Sequence, residues 1–365
     1  MSEITLFLCG DLMAGRGVDQ VLPHSCAPEL HERFVASALD YVHLAEQTNG
    51  PIARPVEHGY VWGDALALLG RRNPDARIVN LETSITTCDD AFPKGINYRM
   101  HPGNIGVLTT AGIDCCVLAN NHVLDWGEGG LLETLDTLTH AGIRVAGAGR
   151  NLAAARMPAV LNARPGVRVL VFAAGTSDSG IPVSWAARGD RSGVHLLRDL
   201  SDATVADIGH AVEAAKRPGD IAIASIHWGG NWGYEIPDSH RHFAHALIDR
   251  ARIDLVHGHS SHHPKAIETH RGRPILYGCG DFLDDYEGIR GYEEYRDDLV
   301  LMYFPTLDPD SGRLIRLEME PLRIRNFRLS TPSSADRAWL CATLGRECRR
   351  FGHDVRAVDG SLILE

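Results

Sequence analysis

Short apolar runs rich in Val, Ile and Leu recur along the chain and stop abruptly at polar residues. They are ITLFLCG (4–10), RIVNLE (77–82), DCCVLANN (114–121), RVLVFAAG (168–175), IAIASIHWG (221–229), DLVHGH (254–259) and PILYGCGD (274–281). Runs of this length, apolar on both faces, predict buried strands. Helical periodicity lies between them, in GGLLETLDTLTHAG (129–142), DATVADIGHAVEAAKR (202–217) and SHRHFAHALIDRA (239–251). Strand alternating with helix predicts an α/β fold. Residues 27–47 predict a further helix inside a less regular stretch, 16–75, that reads as an insertion or lid over a site. Beyond 295 the pattern changes to strands joined by a DPDSG turn, followed by a C-terminal helix over 333–352 with Ser333 as its N-cap. One catalytic domain over 1–330, with the helix of 331–365 packed on it, is the expected organisation.

Composition narrows the picture. At 365 residues and 44% hydrophobic, the chain can bury a large core, and its net charge of −11 argues against nucleic acid as a partner. No run is apolar enough to span a bilayer. The N-terminus lacks the basic n-region of a signal peptide, so a cytoplasmic protein with no membrane partner is expected. The cysteines form no CxxC pair and several sit inside apolar runs, as reduced core thiols do.

The chemistry lies at the strand ends. The first run ends at Asp11, the second at Glu82, the third at Asn120, Asn121 and His122, with Asp125 three residues on. The run at 221–229 carries His227, VHGHSSHH supplies His257, His259, His262 and His263, and YGCGD ends at Asp281. In α/β sheets ligands bind at the carboxyl ends of strands, so these residues should converge. A lone carboxylate there is usually a cap and a lone histidine a core residue; recurrence at strand after strand argues for one shared site. Carboxylate, amide oxygen and imidazole together suit a divalent ion such as Mn, Fe, Zn or Ca. Trp228, Trp232 and Tyr234 follow His227 directly and could wall a substrate, and Arg16 and Arg99 could bind a carboxylate.

The segments GDLMAGRG (10–17), NLETSIT (80–86), LANNHVLDWGEGGLLETLDTL (118–138), GAGRNLAAA (147–155), SIHWGGNW (225–232) and GHSSHHPKAIETHRGRPILYGCGDFL (258–283) resemble, in order, the CapA-like proteins of poly-γ-glutamate capsule synthesis. These belong to the calcineurin-like metallophosphoesterases. The resemblance covers roughly residues 4–325 and implies a four-layered α/β/β/α sandwich. It also implies metal ligands Asp11, Glu82, Asn121, His227 and His259, with Asp125 orienting His122. Metallophosphoesterases hold two ions about 3.5–4 Å apart. Here Met13 and Ser261 stand where two histidines of one metal position would be. One tightly held divalent ion is therefore expected, with His262 a partial compensation at the second position.

What survives that departure is an ion that stabilises an oxyanion, beside His/Asp pairs that move protons. His122–Asp125 forms one pair, and His262 (or His259) with Asp281 the other. Such a set suits epimerisation at a Cα of a peptide, a reaction the resemblance implies for CapA-like proteins associated with lasso peptides. Two alternatives stand beside this expectation. One is a metal-dependent hydrolase of a phosphoester or γ-glutamyl amide, and the other is a non-catalytic accessory protein of polymer synthesis.

Overall fold

The computed structural model describes residues 3–365. Two sheets form its centre. The strands are β1 (Ile4–Leu12), β2 (Ala76–Leu81), β3 (Cys115–Val117), β4 (Arg144–Ala146), β5 (Ala159–Arg164), β6 (Val167–Gly175), β7 (Ile221–His227), β8 (Leu255–His259), β9 (Ile267–His270), β10 (Arg273–Leu276), β11 (Asp281–Leu283), β12 (Leu299–Leu307), β13 (Leu314–Ile324), β14 (Val355–Val358) and β15 (Ser361–Leu364). The first sheet runs β14-β15-β13-β12-β1-β2-β3-β4, with β11 added beside the end of β1; the second runs β9-β10-β8-β7-β6-β5. β1 to β4 are parallel neighbours, and so are β6, β7, β8 and β10.

Strand alternation sorts the side chains into layers. Ile4, Leu6 and Leu8 of β1 and Ile221 and Ile223 of β7 meet in a core between the two sheets. Phe7, Cys9, Val79 and Leu81 turn outward onto α1 (Ala38–Asn49), α2 (Ala65–Arg72) and α3 (Gly127–His140). Ala222, Ala224 and Ile226 turn outward on the other side, onto α4 (Asp202–Ala215) and α5 (Asp238–Arg250). The architecture is α/β/β/α, as the sequence led us to expect. Residues of the 16–75 stretch, including Val18, Val42 and Trp62, are buried in the outer layer of the first sheet.

Three boundaries differ from the sequence expectation. The helix expected from residue 27 starts at Ala38, because Ser37 caps it and Glu29 bridges Ser37 in an extended segment ahead of it. The run 274–281 splits into β10 in one sheet and β11 in the other, with Gly278 and Gly280 carrying the chain across. C-terminal α6 (Ser334–Cys348) begins with a capping box between Ser333 and Asp336 and buries Leu340 and Leu344 against the inter-sheet core. The residues after it form a hairpin, β14–β15, that extends the first sheet through β13. Every cysteine is a free thiol. No helix among the described residues is long and apolar enough to cross a membrane.

Candidate metal centre

A register irregularity decides where β1 points its last residues. Strict alternation from Ile4, Leu6 and Leu8 would send Leu12 between the sheets. Pairing of β1 with β2 shifts between Leu8 and Asp11, so Leu12 packs outward and Asp11 faces the second sheet. Bulges commonly re-aim side chains beside functional sites in this way. β2 sends Asn80 and Glu82 the same way, while β7 and β8 send Ser225, His227, His257 and His259 toward them; all are buried. Residues more than 240 positions apart thus share one interior cluster at the carboxyl ends of parallel strands.

His227 Nδ1 lies 2.8 Å from His259 Nδ1, and His227 Nε2 lies 3.0 Å from Asn121 Oδ1. Glu82 Oε2 is 3.9 Å from His227 Nδ1, and Asp11 Oδ1 is 4.0 Å from His259 Nδ1. Asp11, His227 and His259 present ligand atoms that all lie within 4.8 Å of one another. Neighbours fix these groups: the Asn80 amide donates to Asp11 Oδ1 (2.7 Å) and Glu82 Oε2 (3.3 Å), and the Asn120 amide donates to Asn80 Oδ1 (3.0 Å). Ser225 Oγ sits 3.0 Å from both His259 Nε2 and His257 Nδ1, and His257 Nε2 donates to the Cys9 carbonyl at 2.9 Å.

The donor set fits a divalent cation. Burial, together with the charge of Asp281, pushes Asp11 up to about 7; burial and the neighbouring Asp11 also raise Glu82. Burial and neighbouring imidazoles hold His227 and His259 well below the usual histidine range. Protons are favoured on the carboxylates and off the rings, because burial penalises the charged form of each. A divalent ion reverses the first effect and exploits the second, since its ligands must be deprotonated.

Met13 and Ser261 take no part in the cluster. Met13 is buried with its sulfur 3.6 Å from Tyr286 Oη, and the Ser261 hydroxyl donates to the His263 carbonyl at 2.9 Å. Instead Asp11, His262 and Asp281 form a second group of ligand atoms within 4.8 Å of one another, sharing Asp11 with the first. β11 supplies Asp281 in register with Asp11. His262 Nδ1 is 2.9 Å from Asp281 Oδ1, and the Asn231 amide lies 2.8 Å from its Nε2.

His122 lies on the Glu82 side, with Nε2 3.8 Å from Glu82 Oε1. Its Nδ1 is 2.6 Å from Asp125 Oδ2, which also accepts from the Tyr98 amide at 2.7 Å. Lys94 Nζ is 2.7 Å from Asp125 Oδ1 and also bonds the Asn121 carbonyl. Burial lowers His122 to about 4; Asp125 opposes that shift and Lys94 adds to it. No hydrogen bond occupies His122 Nε2 among the described residues, so this nitrogen is available to a substrate. Sequence reading missed Lys94, which sits in an aperiodic loop, and the supporting roles of Asn80 and Ser225, which look like ordinary strand residues.

Several expected substrate contacts are corrected. Arg16 is buried, and its guanidinium is paired with Asp285 (2.5 Å) and Glu32 (2.8 Å), which leaves it no free face. Arg99 is likewise taken up by Asp89 and the Cys88 carbonyl, 2.6 and 2.8 Å away, and lies over Trp126. Trp228 follows His227, so alternation turns it to the outer face. There it stacks on His240 (centroids 4.7 Å) and donates from Nε1 to the Tyr277 carbonyl. Trp232 is half-buried, stacked on Tyr292 at 4.0 Å and 5.2 Å from His262; Tyr234 packs on His263 at 4.5 Å.

These features define an α/β/β/α protein with a buried His/carboxylate/amide cluster between its sheets that could hold a metal ion. The chain belongs to the bacterial capsule synthesis protein PGA_cap family, whose model matches residues 5–286. It is 51% identical to a probable polyglutamine synthesis accessory protein of Mycobacterium tuberculosis, over 96% of this chain and 92% of that one. It is 27% identical to the PGA biosynthesis protein CapA of Bacillus subtilis, over 80% of this chain and 66% of that one. A solved calcineurin-like phosphoesterase, YfkN of Bacillus subtilis, aligns over 87% of this chain and 90% of its own, with TM-score 0.40 and 12% identity.

Proposed function

We propose that the protein is a metal-dependent acid–base enzyme acting on a peptide-like chain, and that its reaction is proton exchange at a Cα leading to epimerisation. The observation that carries this reading is the pair of His–Asp couples flanking the metal cluster. His122–Asp125 adjoins Glu82, and His262–Asp281 adjoins Asp11. Asp11, Glu82, Asn121, His227 and His259 would hold the ion. When bound, it would supply positive charge for an enolate oxygen.

His122 serves as the first base. Its Nδ1–H points at Asp125, which fixes the tautomer and leaves Nε2 to take the proton. Lys94 is ion-paired with the other oxygen of Asp125. His262 returns a proton to the opposite face: Asp281 fixes its Nδ1, and Asn231 releases its Nε2 as substrate enters. One proton leaves the carbon and one arrives, so no oxidant or leaving group is needed. Trp232, beside His262, packs against the substrate chain.

A second reading is hydrolysis of a phosphoester or γ-glutamyl amide, in which the same His122 activates water; a third, a non-catalytic role in polymer synthesis, is supported by the likeness to a probable polyglutamine synthesis accessory protein of M. tuberculosis. One experiment separates the three. Metal-loaded protein is incubated with short glutamyl peptides in D₂O and the products are read by mass spectrometry. One added deuteron per chain without cleavage supports epimerisation. Cleaved amide supports hydrolysis. Neither, with metal bound, leaves the accessory role.

A further inference from the structure

A second set of metal-capable side chains lies outside the centre described above. α5 packs on the outer face of the second sheet, and β9 is that sheet's edge strand. Residues Arg241, His245 and Asp249 fall four apart on α5, so they form one stripe. Glu268 and His270 are two apart on β9, so they share one face. The stripe and that face meet. His245 Nε2 lies 2.8 Å from Glu268 Oε1, and the rings of His245 and His270 stack with centroids 3.9 Å apart. Ligand atoms of His245, Glu268 and His270 all lie within 4.8 Å of one another.

We propose that His245, Glu268 and His270 form a separate transition-metal site that clasps α5 to the edge strand. Two imidazoles and one carboxylate select zinc or a related late first-row ion over magnesium or calcium, which prefer oxygen. Glu268 and the neighbouring Asp249 are already oriented. Tyr277 donates to Glu268 Oε2 at 2.7 Å, leaving Oε1 for the ion, and Asp249 Oδ1 lies 2.9 Å from His270 Nε2. A carboxylate on the far nitrogen is the usual partner of a ligating histidine. Arg271 in turn holds Asp249 at 2.9 Å. The His245 and His270 side chains are 22% and 21% exposed, so an ion can enter from solvent and keep a water as fourth ligand. His270 pairs with Arg273 at the start of β10, so the cluster sits at the strand ends opposite the interior centre.

The test counts ions on the full-length chain. Stripped protein is titrated with zinc by calorimetry and with cobalt by visible absorption, for the wild type and for His245→Gln/His270→Gln. The double variant should lose one bound equivalent and the matching cobalt band, while the ions of the interior centre remain. A second background, His227→Ala/His259→Ala/His262→Ala, removes the imidazole ligands of both interior groups. It should still bind one zinc and melt at higher temperature with zinc than without. Unchanged stoichiometry in His245→Gln/His270→Gln overturns the proposal, whichever way the interior background behaves. The result is independent of the reaction proposed for the interior centre.

Discussion

Gly10 and Gly280 meet backbone to backbone: a Cβ built on Gly10 would fall 1.7 Å from the Gly280 carbonyl oxygen. That oxygen accepts the Asp11 amide at 3.0 Å, and the residue after each glycine is a carboxylate of the centre, Asp11 and Asp281, in register. The close approach therefore sets the spacing of two candidate ligands. Gly10→Ala should force the strands apart and destabilise the fold by about 1–3 kcal/mol, the usual range for overpacking. It should also weaken divalent-ion binding more than a core substitution of equal cost, such as Leu6→Val. Calorimetric ion titration of both variants measures this; equal ion affinity in the two would separate the glycine contact from the centre.

Asp125 is the buried carboxylate behind His122, held by the Tyr98 amide and Lys94. It touches none of the candidate ion ligands through its own oxygens. Asp125→Asn should therefore leave ion content near normal while turnover falls by about 10²–10⁴, the span of a general-base contribution. Lys94→Gln should act differently. Losing a positive charge beside His122 lets its proton affinity rise, so the acid limb of the pH–rate profile should move to higher pH. Elemental analysis with pH-dependent deuterium exchange reads both. An unmoved acid limb in Lys94→Gln would remove the lysine from the proton-transfer group.

Much of this site was legible because each buried strand stops at a residue that is costly to desolvate, and these strand ends converge: Asp11, His227 and His259 share one buried cluster, with Glu82 beside it. Trp228 lies away from the centre because strand alternation, counted by twos from Ile221, puts His227 inward and Trp228 outward. The C-terminal hairpin carries a local signal of its own. Asp359 and Gly360 sit between alternating residues and adopt φ of 49° and 91°, the left-handed pair a two-residue turn requires. Lys94 had no such signal, since a loop's reach across to Asp125 is set by tertiary packing. Met13 and Ser261 stand clear of the cluster, and His262, expected as a partial compensation, meets Asp11 and Asp281; the sheet switch that carries Asp281 there has no local pattern.

Acid should weaken the fold in a defined window. Burial holds His195 down at about 4, with the Ala173 carbonyl opposing and Arg156 assisting, and burial likewise holds His257 at about 4. The unfolded chain binds protons on these rings near pH 6.5. Their folded-state affinity is depressed, so their stabilising contribution is complete above about 6.5 and is lost as pH falls toward 4. The melting temperature of the metal-free protein should drop through that window. His195→Gln should flatten part of the drop. A melting curve with the same pH slope in wild type and variant would exclude His195 as a contributor.

Trp228 and Trp232 stand four residues apart and should report on different properties. Trp228 is buried, stacked on His240 and bonded to the Tyr277 carbonyl, on the face turned from the centre. Trp228→Ala should cost about 3–5 kcal/mol of stability, as large core truncations do. Conservative Trp228→Phe should restore most of that and leave KM unchanged. Trp232 is half-buried, stacked on Tyr292 with its ring 5.2 Å from His262. Its removal strips an aromatic face worth about 0.5–1.5 kcal/mol, so Trp232→Ala should raise KM by up to about tenfold with little change in melting temperature. Paired thermal melts and steady-state kinetics give the answer. A KM effect confined to Trp228, or a stability loss confined to Trp232, would reverse the faces of the two rings and with them the side from which the proposed peptide substrate would approach.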